Sequence, residues 1–137
     1  MIPPIYRRLA FFAYAGVVVT LTHWPALKVE GPLPRTDLWA HFIAFSIWIV
    51  LASLAAFFGS ALSKRNLART FVVACVYIVL DETTQGIPIL QRTVDPYDIL
   101  ANFVGLCIGM GALLLLRRSV LGVVLGGKCT NYASCRK

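Results

Sequence analysis

Charged side chains are scarce in this chain of 137 residues. Asp, Glu, Lys and Arg together make up 14% of the sequence, whereas 58% of it is hydrophobic. A soluble domain of this length needs far more charge to cover its surface, so the scarcity argues against a soluble helical bundle. We therefore expect most of the chain to be solvated by lipid.

Motifs of soluble enzymes are also missing from the sequence. It contains no glycine-rich phosphate loop, no nucleophile elbow and no pair of histidines at metal-binding spacing. Of the four cysteines, Cys75 and Cys107 fall in apolar stretches, where cysteine packs as a small apolar residue. Cys129 and Cys135 have no histidine nearby, which disfavours a zinc site, and palmitoylation of Cys129 stays open. No cofactor and no resident metal is expected.

Long apolar stretches are what the sequence does contain. A helix that rises ~1.5 Å per residue needs ~20 apolar residues to cross the hydrocarbon of a bilayer. Four stretches come close to that length, over residues 9–24, 38–62, 71–87 and 99–116. They predict an all-α, polytopic membrane protein in which residues 1–118 form a four-helix transmembrane bundle. A short basic tail over residues 119–137 is expected to follow it in the cytoplasm.

The distribution of basic residues predicts the orientation of this bundle. If the N-terminus is cytoplasmic, Lys28, Arg35 and Arg92 lie outside and the other ten of the 13 Lys and Arg residues lie inside. Short connections obey the positive-inside rule, so both termini are expected in the cytoplasm. The net charge of +7 then needs no nucleic-acid partner, because basic residues beside the inner leaflet attract anionic lipid.

All the acidic residues fall on the outer side in this orientation. They are Glu30, Asp37, Asp81, Glu82, Asp95 and Asp98. A charge at the bilayer centre costs about 2.5–3.5 kcal/mol, so the deeper acids should face the bundle or a wet cavity. Arg92, in the outer loop, is the cation expected to fold over Asp81 and Glu82.

Polar residues at helical spacing form one pair on each of three predicted helices. The pairs are Asp37 with His41, Glu82 with Gln85, and Asp98 with Asn102. His41, Glu82 and Asn102 are predicted to lie at a similar depth, about 8–10 Å below the outer helix ends at ~1.5 Å per residue. Gly105 and Gly109 continue the last stripe inward. This arrangement predicts one polar site beneath the outer membrane face.

Some of these acids also have a purely structural explanation. Asp95 before Pro96, with Asp98 three residues on, has the sequence of a helix start. Asp37 suits the positive end of the second helix. Glu82 and Asn102 are too far from a helix start for such a role.

The order and spacing of these residues resemble a known family pattern. Its elements are Asp37 with His41 and Phe42, then Glu82-x-x-Gln85, then Arg92-x-x-Asp95-x-x-Asp98-x-x-x-Asn102-x-x-Gly105. In these positions the chain is similar to the VanZ-like family of small multispan bacterial membrane proteins. It departs from that pattern at Leu38 and Phe45, where the family often has a basic residue and a tyrosine.

The resemblance implies an association with the cell envelope. The founding member of the family is associated with resistance to the glycopeptide teicoplanin, which acts on cell-wall precursors outside the membrane. Membership does not by itself make this chain a resistance determinant, but it agrees with a site that faces outward.

Two classes of function follow for this outer site. In the first, it binds an amphiphile such as a lipid headgroup, a lipid-linked wall precursor or a lipophilic drug. The predicted ligand-binding residues are Asp37, Gln85, Arg92, Asp98 and Asn102. A catalytic extension uses Glu82 or His41 as general base, with Asp37 orienting the histidine.

In the second class the polar layer is structural. Hydrogen bonds between helices hold the bundle together, and the protein docks on other membrane proteins. There are two weaker alternatives. One is a site for a divalent cation held by His41, Glu82 and Asp98, and the other is a proton-coupled transporter.

Overall fold

The protein is all-helical throughout the part that is described. A computed structural model describes residues 2–27 and 31–132, with the backbone alone for residues 121–132. Its helices are α1 (Pro4–Thr22), α2 (Thr36–Ala55), α3 (Lys64–Gln85) and α4 (Pro96–Tyr132), with a short 3₁₀ turn at Pro88–Leu90. The described residues contain no β-strand, which confirms the predicted all-α class. Lys28 and Glu30, and the side chains of Cys129 and Cys135, lie outside the described part.

Three of the helices are long and apolar enough to cross a membrane. They are Pro4–Thr22, Thr36–Ala55 and the Pro96–Val120 part of α4. α3 has 22 residues, but basic side chains occupy its first two turns and Asp81 and Glu82 its last two. The structure thus supports a membrane protein with three candidate spans, and the fourth span stays a prediction.

The ends of α2 and α3 differ from the predicted ones because of the connection between them. Ala56 adopts a left-handed conformation (φ 58°), which ends α2 well before residue 62. The fully buried Asn66 fixes this turn: its amide nitrogen lies 2.9 Å from the carbonyl oxygens of Ser53 and Ala61, and the Phe58 N–H donates to its oxygen. Ser63 caps α3 by accepting the Asn66 N–H at 3.2 Å, so α3 begins at residue 64 rather than 71.

The other helix boundaries also move. α1 begins at Pro4, five residues before the predicted start, because proline suits the first turn of a helix. α3 ends at Gln85, just before Gly86, and α4 continues without interruption past residue 116 to Tyr132. The backbone of residues 119–132, predicted as a tail, is therefore the end of α4.

The contacts between helices show how they run. Along α2, His41, Ser46 and Ile49 meet Asn102, Gly105 and Gly109 of α4 in rising order, so these two helices are parallel. α1 is antiparallel to α2, because Tyr14 reaches Ala44 while Arg8 reaches Ala55. We call the end of the bundle formed by the C-termini of α1 and α3 and the N-termini of α2 and α4 the acidic end.

The approach of α2 to α4 depends on two glycines. A Cβ atom at Gly105 would overlap the carbonyl oxygen of Phe42, and one at Gly109 would lie 2.6 Å from the carbonyl oxygen of Ser46. The Ser46 hydroxyl lies 2.8 Å from the Phe42 carbonyl and 3.0 Å from the Gly105 carbonyl, so its single hydrogen serves one or the other. Small residues permit such close backbone contact between membrane helices.

Aromatic rings fill the space among the first three helices. The Phe11 ring meets Trp48 edge-on with centroids 5.0 Å apart, and Trp48 stacks on Tyr77 at 5.2 Å. The core therefore joins α1, α2 and α3 below the polar groups of the acidic end.

We predict that Gly105→Ala destabilises the bundle by about 1–3 kcal/mol, the usual cost of overpacking a well-packed core. Gly111→Ala in the same helix is the matched control, because its Cβ meets no atom within 4 Å. The control should be as stable as the natural protein or slightly more so. Thermal unfolding in detergent measures both variants, and equal stability of the two would contradict the close α2–α4 contact.

The predicted orientation places the acidic end outside the cytoplasm. In a variant without the four native cysteines, Thr93→Cys at the acidic end should react with a membrane-impermeant maleimide in intact cells. Ser60→Cys, in the exposed turn between α2 and α3, should react only after the membrane is permeabilised. Labelling of Ser60→Cys in intact cells would contradict the predicted orientation.

Candidate functional site

His41 lies between two polar side chains of α4. Its Nδ1 is 3.1 Å from Asn102 Oδ1, and its Nε2 is 3.6 Å from Asp98 Oδ2. The four-residue spacing of Asp98 and Asn102 turns both toward α2. All three side chains are buried, with Asn102 fully inaccessible. Of the three residues predicted to share a depth, His41 and Asn102 meet in this contact, whereas Glu82 belongs to a different group of polar side chains.

Two atoms of this group have no hydrogen-bond partner among the described residues. They are Asp98 Oδ1, an acceptor, and Asn102 Nδ2, a donor. Leaving a buried polar atom unsatisfied costs about 1–3 kcal/mol, and more when the group is charged. Such atoms in a native fold call for an explanation, of which a bound water or ligand is the simplest.

A second polar group lies at the end of α3 and is built around Gln85. Its Nε2 lies 3.3 Å from both Asp81 Oδ2 and Glu82 Oε2. The other oxygen of Glu82 accepts the backbone N–H of Asp95 at 2.9 Å. Glu82 therefore connects the end of α3 to the residue that precedes α4.

Asp81 connects α3 to α1 in the same way. Its Oδ1 accepts the hydroxyl of Thr22 at 3.1 Å and that of Tyr77 at 3.3 Å. His23 lies 3.9 Å from the same oxygen through Nδ1, and its Nε2 is 2.9 Å from Thr84 Oγ1. Thr22 and His23 are therefore site residues that the sequence pattern did not indicate. The sequence signal for them is their place at the end of the first predicted span, on the same side of the membrane as Asp81.

The arginine that meets the acids is Arg35 rather than Arg92. Arg35 Nη2 lies 2.8 Å from Asp95 Oδ2 and 3.7 Å from Asp37 Oδ2, and its guanidinium lies 5.0 Å from the centroid of the Tyr97 ring. Arg92 makes no ion pair with any carboxylate in the described part of the chain. The expectation that it folds over Asp81 and Glu82 was wrong, because hydroxyl, amide and backbone donors already satisfy those acids.

Asp37 also differs from its expected role of orienting His41. The two ring nitrogens of His41 face Asn102 and Asp98, whereas Asp37 lies toward Arg35. The catalytic arrangement predicted from the spacing of Asp37 and His41 is therefore not the one that forms.

A cavity of about 640 Å³ opens at the acidic end, between α1, α2 and the segment before α4. Ligand sites usually have about 300–1,000 Å³. Apolar side chains of α1 and α2 form one part of the wall, namely Val18, Leu21, Ala40, Ala44 and Phe45. Charged or ionisable side chains form another part, namely Asp37, His41, Arg92, Asp95 and Asp98.

The predicted site residues thus divide into two sets. Asp37, His41, Arg92 and Asp98 line the cavity, whereas Glu82, Gln85 and Asn102 are not part of its wall. Within the described residues, no group of three or more His, Cys, Asp or Glu side chains is placed to hold a metal ion. The weaker alternative of a cation held by His41, Glu82 and Asp98 is therefore not supported.

We predict that Glu82→Ala destabilises the protein by about 1–3 kcal/mol, because it leaves the Asp95 N–H without an acceptor. Glu82→Gln, which keeps one oxygen for that N–H, should recover most of the loss. Thr83→Ala is the control, because this exposed neighbour hydrogen-bonds only to carbonyls of its own helix. Thermal unfolding in detergent measures all three, and a Glu82→Ala variant as stable as the control would contradict the anchoring role.

Comparison of the sequence with known proteins gives a family match. The sequence model of the VanZ/LLP1 family matches residues 8–117, which include the whole of α2 and α3, parts of α1 and α4, and every residue of the cavity wall. Searches of curated proteins and of solved structures found no significant match. The chain belongs to the VanZ/LLP1 family, as its spacing of polar residues predicted.

Proposed function

We propose that this protein binds an amphiphilic molecule of the cell envelope in the cavity at its acidic end. The observation that carries the proposal is the composition of the wall, which joins an apolar face of α1 and α2 to a charged rim. An amphiphile satisfies both parts at once, because its chain covers the apolar face and its headgroup meets the charges.

The predicted orientation supports access to the cavity from outside the cytoplasm. Of the Lys and Arg residues whose side chains the structure describes, only Arg35 and Arg92 lie at the acidic end, and this asymmetry is typical of an extracytoplasmic side. This orientation, together with the association of the family's founding member with teicoplanin resistance, makes lipids, lipid-linked wall precursors and lipophilic drugs the ligand classes to test.

Binding is better supported than catalysis by the hydrogen bonds of the two candidate bases. Both carboxylate oxygens of Glu82 are engaged within the protein, one by Gln85 and one by the Asp95 N–H. His41 lines the cavity, but Asn102 lies beside one ring nitrogen and Asp98 beside the other. A general-base role for either residue stays a prediction.

A second candidate function is structural, with the polar layer holding the helices for docking on other membrane proteins. The observation that favours it is that His41 joins α2 to α4, while Asp81 joins α3 to α1. Hydrogen bonds between membrane helices stabilise by about 0.6–2 kcal/mol each.

A cavity-filling substitution separates the two candidates. Ala40 is exposed and lines the cavity, so Ala40→Trp should obstruct it without disturbing the core. We predict that this variant retains about fivefold less amphiphile on purification than the natural protein, which corresponds to a difference of about 1 kcal/mol in the free energy of binding. Mass spectrometry of lipids and lipid-linked precursors bound to the purified protein measures the retention.

Ala13→Trp is the matched control, because Ala13 is exposed on α1 and does not line the cavity. Equal retention by both tryptophan variants, at normal accumulation, would contradict the binding proposal. Arg92→Ala extends the test to the phenotype. In cells that express this variant, teicoplanin susceptibility and the amount of protein in the membrane are measured together. Loss of the resistance phenotype at normal accumulation supports binding, and parallel loss of protein supports the structural role.

A further inference from the structure

The charges in the cavity wall are unusual for so basic a protein. Three carboxylates, those of Asp37, Asp95 and Asp98, face a single lining guanidinium, that of Arg92, although the chain carries a net charge of +7. Arg35 compensates two of the carboxylates, because it lies 2.8 Å from Asp95 and 3.7 Å from Asp37. Asp98 and Arg92 are left as the two charges of the wall to be accounted for.

Among the described residues, Asp98 has no donor for one of its oxygens. The residue is 7% exposed, and no described group donates a hydrogen bond to the buried Oδ1, while Oδ2 lies 3.6 Å from His41 Nε2. An ionised carboxylate only accepts hydrogen bonds, so the missing partner must be a donor. A cationic N–H donor suits it best, because hydrogen bonds between charged groups are about twice as strong as neutral ones.

Arg92 needs a partner of the opposite kind. Its side chain is half-buried in the cavity wall and forms no ion pair with a carboxylate in the described part of the chain. The planar guanidinium, with its fork of N–H donors, matches the oxygens of a phosphate. One cavity therefore presents both a carboxylate that requires a cationic donor and a guanidinium that suits a phosphate.

The apolar part of the same wall restricts the ligand further. Val18 and Leu21 of α1 and Phe45 of α2 form a surface for a hydrocarbon chain beside the two charges. We infer that the ligand is a zwitterionic phospholipid with a primary ammonium group, the chemistry of phosphatidylethanolamine, whose ammonium meets Asp98 and whose phosphate meets Arg92. This inference rests on the proposed function and names the ligand class for the same site.

Three common headgroups differ in what they supply to Asp98 and Arg92. Phosphatidylglycerol has the phosphate but no ammonium, so it leaves Asp98 unsatisfied. Phosphatidylcholine has a cationic nitrogen without an N–H, so it compensates the charge of Asp98 but donates no hydrogen bond to it. Phosphatidylethanolamine supplies both the N–H donor and the phosphate.

Competition among these lipids for the purified full-length protein tests the inference. Native mass spectrometry with equal amounts of the three lipids should show phosphatidylethanolamine bound at least about fivefold more than either of the others. Asp98→Asn should remove its advantage over phosphatidylglycerol, because the charge that selects the ammonium is lost. Arg92→Gln should weaken all three lipids alike, whereas Arg69→Gln, an exposed charge away from the cavity, should leave the bound amount of phosphatidylethanolamine unchanged.

The relative binding of the three lipids to the unsubstituted protein does not depend on whether a variant folds. Thermal unfolding in detergent identifies any variant that does not fold. Equal binding of the three lipids, or a preference for phosphatidylglycerol, would overturn the headgroup assignment. If Ala40→Trp nevertheless lowers retention of some other amphiphile, the proposed function stands without this ligand class. If it lowers none, the proposed function fails as well.

Discussion

The close contact of α2 with α4 is the constraint on which the rest of the structure depends. In lipid, helices gain little from burying apolar surface against each other, so close packing and hydrogen bonds must hold them together. Gly105 and Gly109 let α4 approach the carbonyl groups of Phe42 and Ser46. About one turn nearer the acidic end, this approach brings His41 within 3.1 Å of Asn102 and leaves Asp98 at the cavity wall.

The acidic residues divide according to how their charge is compensated. Asp81 and Glu82 are satisfied by hydroxyl, amide and backbone donors, and so they fasten α3 to α1 and to the start of α4. Asp98 lines the cavity, and one of its oxygens has no partner in the described part of the chain. Because an isolated charge is costly inside a membrane bundle, the acids with internal partners suit structural roles. The acid without one suits ligand binding.

Helical periodicity predicted which polar residues share a face of one helix, but it predicted few of the contacts between helices. The pairing of Asp98 with Asn102 on one face followed from helical spacing, whereas their contact with His41 depends on the packing of α2 against α4. The end of α2 at Ala55 did not, because it depends on Asn66 folding the following turn through three hydrogen bonds. Likewise, Arg35 rather than Arg92 reaches Asp95, since loop geometry decides which arginine comes close.

Binding of an amphiphile between α1 and α2, in the cavity at the acidic end, is what we propose for this protein. Electron density of the full chain, crystallised from a lipid mesophase that contains phosphatidylethanolamine, tests it most directly. We expect elongated density along Val18 and Phe45, with a headgroup nitrogen about 3 Å from Asp98. A cavity closed by the protein's own side chains, with both oxygens of Asp98 paired internally, would contradict the account.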